Sequence, residues 1–82
     1  MAVDFAPIGR ALSSPARSAM LDLLMDGSAR PAAELAAVAQ VGASTASEHL
    51  AVLLGSGLVV VDARGRQRFF RLADASVAEA LE

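Results

Sequence analysis

"STASEHLAVL", residues Ser44 to Leu53, decides how the rest of the chain is read. At 100° per residue, Ala46, Leu50 and Leu53 share one face, while Ser44, Ser47, Glu48 and Ala51 share the opposite one. The first face is suited to a core. The second carries only small polar groups and one acid, so it lets the helix axis come close to another molecule. The same pattern also suits an ordinary solvated helix face, and the surrounding sequence has to separate the two.

Just upstream, "RPAAELAAVAQ" opens with Pro31 and spaces Leu35, Val38 and Ala39 along one face of a further helix. Only "QVG" separates it from the quoted helix. Two helices joined so briefly make a helix-turn-helix, whose second helix enters a DNA major groove by its N-terminal half. Serine and threonine hydroxyls suit bases or phosphate there, and the helix N-terminus favours an anion.

Further out, Phe5, Ile8, Ala11 and Leu12 recur at helical spacing and predict a short first helix. "SSPARSAMLDLLMDG" predicts a second, with Ser14 as N-cap, Pro15 at the first helical position, a Met20–Leu21–Leu24 stripe and Gly27 as the stop. "GSG" at Gly55 to Gly57 ends the quoted helix, and the period then changes. "LVVVDARGRQRFFRL" predicts a hairpin with strands over 58–63 and 67–72 and a turn at Arg64–Gly65. "DASVAEALE" starts a last helix capped by Asp74, with Val77 and Leu81 at i, i+4. It reaches no stop signal before the sequence ends. Residues 1–82 are therefore expected to form one domain, either alone or as the N-terminal part of something longer.

Composition narrows the function classes. The 82 residues are 55% hydrophobic, much of it alanine, which forms helix readily but buries little surface. A small domain of this kind is expected to gain stability by self-association. The absence of cysteine removes disulfides, thiolate metal sites and cysteine redox chemistry. "MAVDFAPIGR" lacks the basic region and apolar run of a signal peptide, and no apolar stretch approaches the roughly 20 residues that span a bilayer. A cytoplasmic protein without membrane contact is the expectation. With one histidine and no glycine-rich loop after a strand, catalysis is not expected.

The net charge of −2 argues mildly against nucleic acid, but its distribution matters more. All seven basic residues are arginine, and Arg64, Arg66, Arg68 and Arg71 crowd into the hairpin. Arg66, Arg68, Phe70 and Leu72 alternate onto one face, so the phenylalanine and leucine can anchor in a core while the arginines project at the tip. That is the layout of a wing on a phosphate backbone. Charge that protects a sheet edge is the competing explanation.

With these pieces in this order, the chain resembles the ArsR/SmtB family of bacterial winged-helix repressors from about Ile8 to Leu81. The resemblance rests on Pro15-x-Arg17, Glu34-Leu35-Ala36, Ser47-x-His49-Leu50-x-x-Leu53, Gly57-Leu58-Val59, and Gly65-Arg66 followed by Phe69-Phe70-Arg71-Leu72. It implies a mainly α (α+β) winged helix-turn-helix with a β-hairpin wing, acting as a homodimer on near-palindromic double-stranded DNA. The DNA-reading positions it implies are Ala43, Ser44, Thr45, Ser47, Glu48 and His49, with Arg64, Gly65 and Arg66 on the wing, and the charge pattern of the hairpin adds Arg68. It implies a dimer made by the first and last helices, through Phe5, Ile8, Leu12, Val77 and Leu81.

The chain departs from the family pattern in several places. Glu48 and Ala51 stand where members more often carry Arg or Lys, and Glu48 can accept from cytosine or repel phosphate. Gln40 stands where the turn often has glycine, and Gly42 replaces the usual hydroxyl cap. The family's cysteine metal site at the start of the third helix has Ala32 and Ala33 here. A second family site begins Asp-x-His; Asp74 matches, but Ser76 replaces the histidine. Metal sensing and bound cofactors are therefore not expected. His49 reads as a helix-packing residue with backbone contact as the alternative, Arg17 as a structural donor, and Asp22 with Asp26 as a solvated face. A winged helix that binds protein instead of DNA is the competing function, favoured by Glu48 and the acidic balance.

Overall fold

The computed structural model describes residues 6–82. Two short helices, α1 (Ala6–Leu12) and α2 (Pro15–Leu23), lead through a 3-10 turn at Leu24–Asp26 into a two-residue strand, β1 (Arg30–Pro31). Helices α3 (Ala32–Ala39) and α4 (Ala43–Gly55) follow, then the hairpin β2 (Val59–Arg64) and β3 (Gln67–Leu72), and finally α5 (Ala75–Leu81). The sheet order is β1-β3-β2, antiparallel throughout. This is the winged helix-turn-helix expected from the sequence.

The helix ends follow the capping chemistry. The Ser14 hydroxyl accepts from the Arg17 N–H at 3.3 Å, Pro15 occupies the first turn, and Gly27 closes the segment at φ 82°. Asp74 caps α5 by accepting from the N–H groups of Ser76 and Val77. The Ser76 hydroxyl bond, followed by the Val77 N–H, holds the Asp74 carboxyl below its usual range. At the end of α4, Gly57 donates to the Leu54 carbonyl and Leu58 to that of Leu53. That pair of bonds is a Schellman motif, and it needs the left-handed conformation Gly57 adopts at φ 75°.

The α3–α4 turn uses the same motif with an unusual residue. Gln40 donates to Ala37 and Val41 to Ala36, so Gln40 takes the left-handed position at φ 57°. It is the one non-glycine residue with positive φ among those described. A side chain there costs about 1–2 kcal/mol. Gln40→Gly removes that strain but adds unfolded-state entropy. The net expectation is a gain of about 0.5–1 kcal/mol, seen as a higher urea midpoint at unchanged slope. A lower midpoint would mean that the Gln40 side chain stabilises the turn.

Met20, Leu21, Leu24, Leu35, Leu53 and Val59 form the centre of the core, with Ala46, Leu50, Phe70 and Leu72 closing over it. The apolar faces of α2 and α4 therefore lie where their periodicity put them. The α3 face is rotated: Leu35 is buried and Ala36 and Ala39 pack on the core, but Val38 is 41% exposed. Val38 lies 60° from Leu35 on the side away from Ala36, outside the stripe that Leu35, Ala36 and Ala39 define.

Two boundaries also differ from expectation. Arg30–Pro31 is a strand paired with Phe70 and Phe69, not simply the opening of a helix. Proline fits there because an edge strand leaves its missing N–H unneeded. The hairpin turn falls at Gly65–Arg66, with Arg64 paired to Gln67 at the last rung. Gly65 has φ 63° and Arg66 does not have positive φ, the pattern of a type II′ turn.

Candidate nucleic-acid interface

Helix α4 is seated by Ala46, Leu50 and Leu53, so its opposite side faces out. Ala43, Ser44, Thr45, Ser47, Glu48 and Ala51 are all exposed. Gly42 caps the helix without a side-chain bond, which leaves the first N–H groups of α4 directed outward with no competing hydroxyl. Hydroxyls elsewhere bond internally: Ser13 to Arg10, Ser18 to Leu12, Ser56 to Val52, and Ser28 to Asp26. Those of Ser44, Thr45 and Ser47 form no such bond among the described residues.

The arginines divide in the same way. Arg30 bridges Asp26 and Glu34, each at 3.2 Å, and Arg71 reaches Asp62 at 3.4 Å. The Ser28 hydroxyl and N–H bonds, with Arg30 adding to them, hold the Asp26 carboxyl low. By contrast, Arg64, Arg66 and Arg68 have no carboxylate partner among the described residues. Arg64 lies over the Phe69 ring at 4.7 Å and Arg68 over Phe70 at 5.6 Å, so each stem is braced while its charge stays unneutralised.

The braces put the wing arginines on different faces. Phe70 is buried and its neighbour Phe69 points the other way, so Arg68 lies on the α4 side of the hairpin and Arg64 on the outer side. Gly65 sets the turn that carries Arg66 at the tip. Ser47, Ala51, Arg66 and Arg68 line one groove of about 370 Å³ between α4, the start of α3 and the hairpin. Ala43, Ser44, Thr45 and Glu48 stand outside it, on the first turns of α4. The sequence reading missed Pro31, Ala32 and Ala33 as the far wall of this groove. Their only signal is small side chains after a helix-opening proline, which no periodicity marks.

His49 is half-buried and faces the protein. Arg17 Nη1 donates to its Nδ1 at 3.1 Å, which leaves the ring proton on Nε2, and Arg17 Nη2 donates to the Arg10 carbonyl at 2.9 Å. Arg17 thus ties the end of α1 to the middle of α4, and its buried Nε has no hydrogen-bond partner among the described residues.

The residues expected at a dimer contact are placed unevenly. Leu12 is 48% exposed and lines a depression of about 150 Å³ together with Leu81 and Met25. Val77 is half-buried against the core, and Ile8 is buried in the protomer's own core, which leaves it little surface to offer a second copy. Phe5 lies outside the described residues. Among the described residues no three His, Cys, Asp or Glu side chains gather to hold a metal, and no helix is long and apolar enough to cross a membrane.

A family model described as a helix-turn-helix domain matches residues 12–62. The chain is 46% identical over 79 residues to YdfF, an HTH-type transcriptional regulator of Bacillus subtilis (strain 168), covering 96% of this chain and 35% of that protein. It is 45% identical over 76 residues to the HTH-type transcriptional regulator CmtR of Mycobacterium tuberculosis (strain H37Rv), covering 93% of this chain and 64% of that one. The chain thus spans less than two thirds of either relative. The NMR structure of CmtR, a cadmium metal-sensor, superposes with a TM-score of 0.71 at 45% identity over 93% of this chain and 78% of that one. The homodimeric winged helix-turn-helix DNA-binding domain of Mb0332 from Mycobacterium bovis, a possible ArsR-family regulator, superposes at 0.83 with 32% identity, covering 93% of this chain and 69% of that one.

Proposed function

Because the chain belongs to the ArsR/SmtB family of winged helix-turn-helix transcriptional regulators, we propose that it represses transcription as a homodimer on a near-palindromic operator. It is a DNA-binding regulator and not an enzyme. In the proposed complex, residues 1–82 act as one domain whose α4 enters the major groove. Ala43, Ser44, Thr45, Ser47 and Glu48 face base edges there, and the outward N–H groups of α4 meet a phosphate. Arg64, Arg66 and Arg68 engage the backbone, with Gly65 bringing the tip close. His49 contributes by fixing α4 through Arg17.

One observation carries this reading. Arg30 and Arg71 are matched to carboxylates, whereas the three arginines crowded on the wing are braced on rings or at the tip and have no carboxylate partner among the described residues. Unneutralised cations beside a helix with free hydroxyls suit a polyanion that also carries hydrogen-bonding groups. Homodimers built through Leu12, Val77 and Leu81 would set two α4 helices at successive major grooves, about 34 Å apart. No cysteine-ligated metal can be the signal these 82 residues read, because they contain no cysteine.

Footprinting on DNA upstream of the coding sequence tests this reading. Two protected half-sites, centred about 10 base pairs apart or at a multiple of one helical turn, are expected. Ser47→Ala is expected to alter sequence preference by about 1 kcal/mol at one base pair of each half-site, with the salt dependence unchanged. Glu48 favours a second reading, a winged helix that docks on protein, since it is exposed on α4 with no ion partner among the described residues. Protection that is uniform along any duplex would favour that reading.

A further inference from the structure

The groove between α4 and the wing has a chemistry that DNA does not need. Its floor is Leu50, Leu54 and Phe70, and its rim carries Ser47, Arg66 and Arg68. A phosphodiester uses the rim alone, because it is hydrated, charged and has no apolar body to lay on leucine. A cationic rim over an apolar floor matches a molecule with both parts. The space exists because alanines stand at 32, 33 and 51, where longer side chains would fill it. Its volume, about 370 Å³, lies within the range of small-molecule sites.

We propose that this groove binds a small organic anion with a flat apolar body, an arylcarboxylate or a molecule like it, and that the anion competes with DNA. The carboxylate pairs with Arg66 and Arg68, whose guanidinium groups have no carboxylate partner among the described residues. The ring lies on Leu50, Leu54 and the edge of Phe70. Occupancy takes two of the three wing arginines away from the phosphate backbone and fills the space beside Ser47, so operator affinity falls. This inference rests on the DNA-binding reading for its regulatory half only; the groove and its ligand class stand on the geometry.

The test uses 2-naphthoate as probe and 2-naphthalenemethanol as its neutral counterpart, titrated into the 15N-labelled protein. Saturable amide shifts are expected at Ser47, Ala51 and residues 66–68, with the neutral compound binding at least tenfold more weakly. Saturating naphthoate is expected to weaken operator binding at least tenfold. Ala33→Leu, at an exposed position on the far wall of the groove, is expected to abolish naphthoate binding and, with it, the effect of naphthoate on operator affinity. Its amide spectrum reports whether the fold is intact. No saturable shifts at millimolar naphthoate, equal binding of the neutral compound, or shifts confined to the Leu12–Leu81 depression would overturn the groove. Naphthoate bound in the groove without loss of operator affinity would overturn the competition. A protein that binds no operator at all sinks the DNA reading, and the titration still decides the groove.

Discussion

Alanine at Arg64, Arg66 and Arg68 together is expected to flatten the salt dependence of DNA binding from a slope of roughly −5 to near zero. Three arginines on each of two protomers would neutralise about six phosphates, and each released counterion contributes nearly one unit to the slope. Arg66→Ala alone is expected to remove about one unit per wing. The fold should survive, because all three side chains are exposed. What it loses is two arginine–ring contacts, worth about 0.5–1 kcal/mol each at exposed sites. A triple variant that keeps the wild-type slope would move the phosphate contacts away from the hairpin altogether.

Leu53→Ala is expected to cost about 2–5 kcal/mol of stability. Leu53 is fully buried, lies in the core between α4 and the sheet, and supplies the carbonyl that Leu58 bonds in the Schellman turn. Stability of roughly 0.05–0.15 kcal/mol per residue gives a domain of this size on the order of 4–12 kcal/mol in total. One truncation therefore removes a large part of it. Val52→Ala, one residue away and 40% exposed, is expected to cost less than about 1 kcal/mol. Urea unfolding of the two variants separates them. If the two midpoints coincide, α4 is not seated by the face assigned to it.

These two predictions use features of different legibility. The buried face of α4 could be read from Ala46, Leu50 and Leu53 because three residues at helical spacing leave one solution. The stops at Gly27 and Gly57 could be read because a left-handed turn favours glycine, whereas the one at Gln40 carries no such mark. Strand β1 could not: two residues set no period, and Arg30–Pro31 becomes a strand only because Phe69 and Phe70 lie alongside. Val38 misled for a related reason. Its hydrophobicity suggested burial, but the alanine-rich α3 packs through Leu35, Ala36 and Ala39 and leaves the larger side chain outside. The wing's charge was plain in the sequence, and so was Phe70 as the anchor on the face of Arg68, whereas the stacking of Arg64 on Phe69 on the other face was not. The groove beside it was invisible, since it is made by small side chains from three distant segments.

The most direct measurement is a salt titration of binding to duplex DNA from just upstream of the coding sequence, with a scrambled duplex as control. Tight binding with a slope near −5, and at least a hundredfold preference for the upstream duplex, is the predicted result. Weak binding, equal on both duplexes, would contradict it. In that case Glu48 and the acidic balance of the chain outweigh the wing, and α4 serves a protein partner instead.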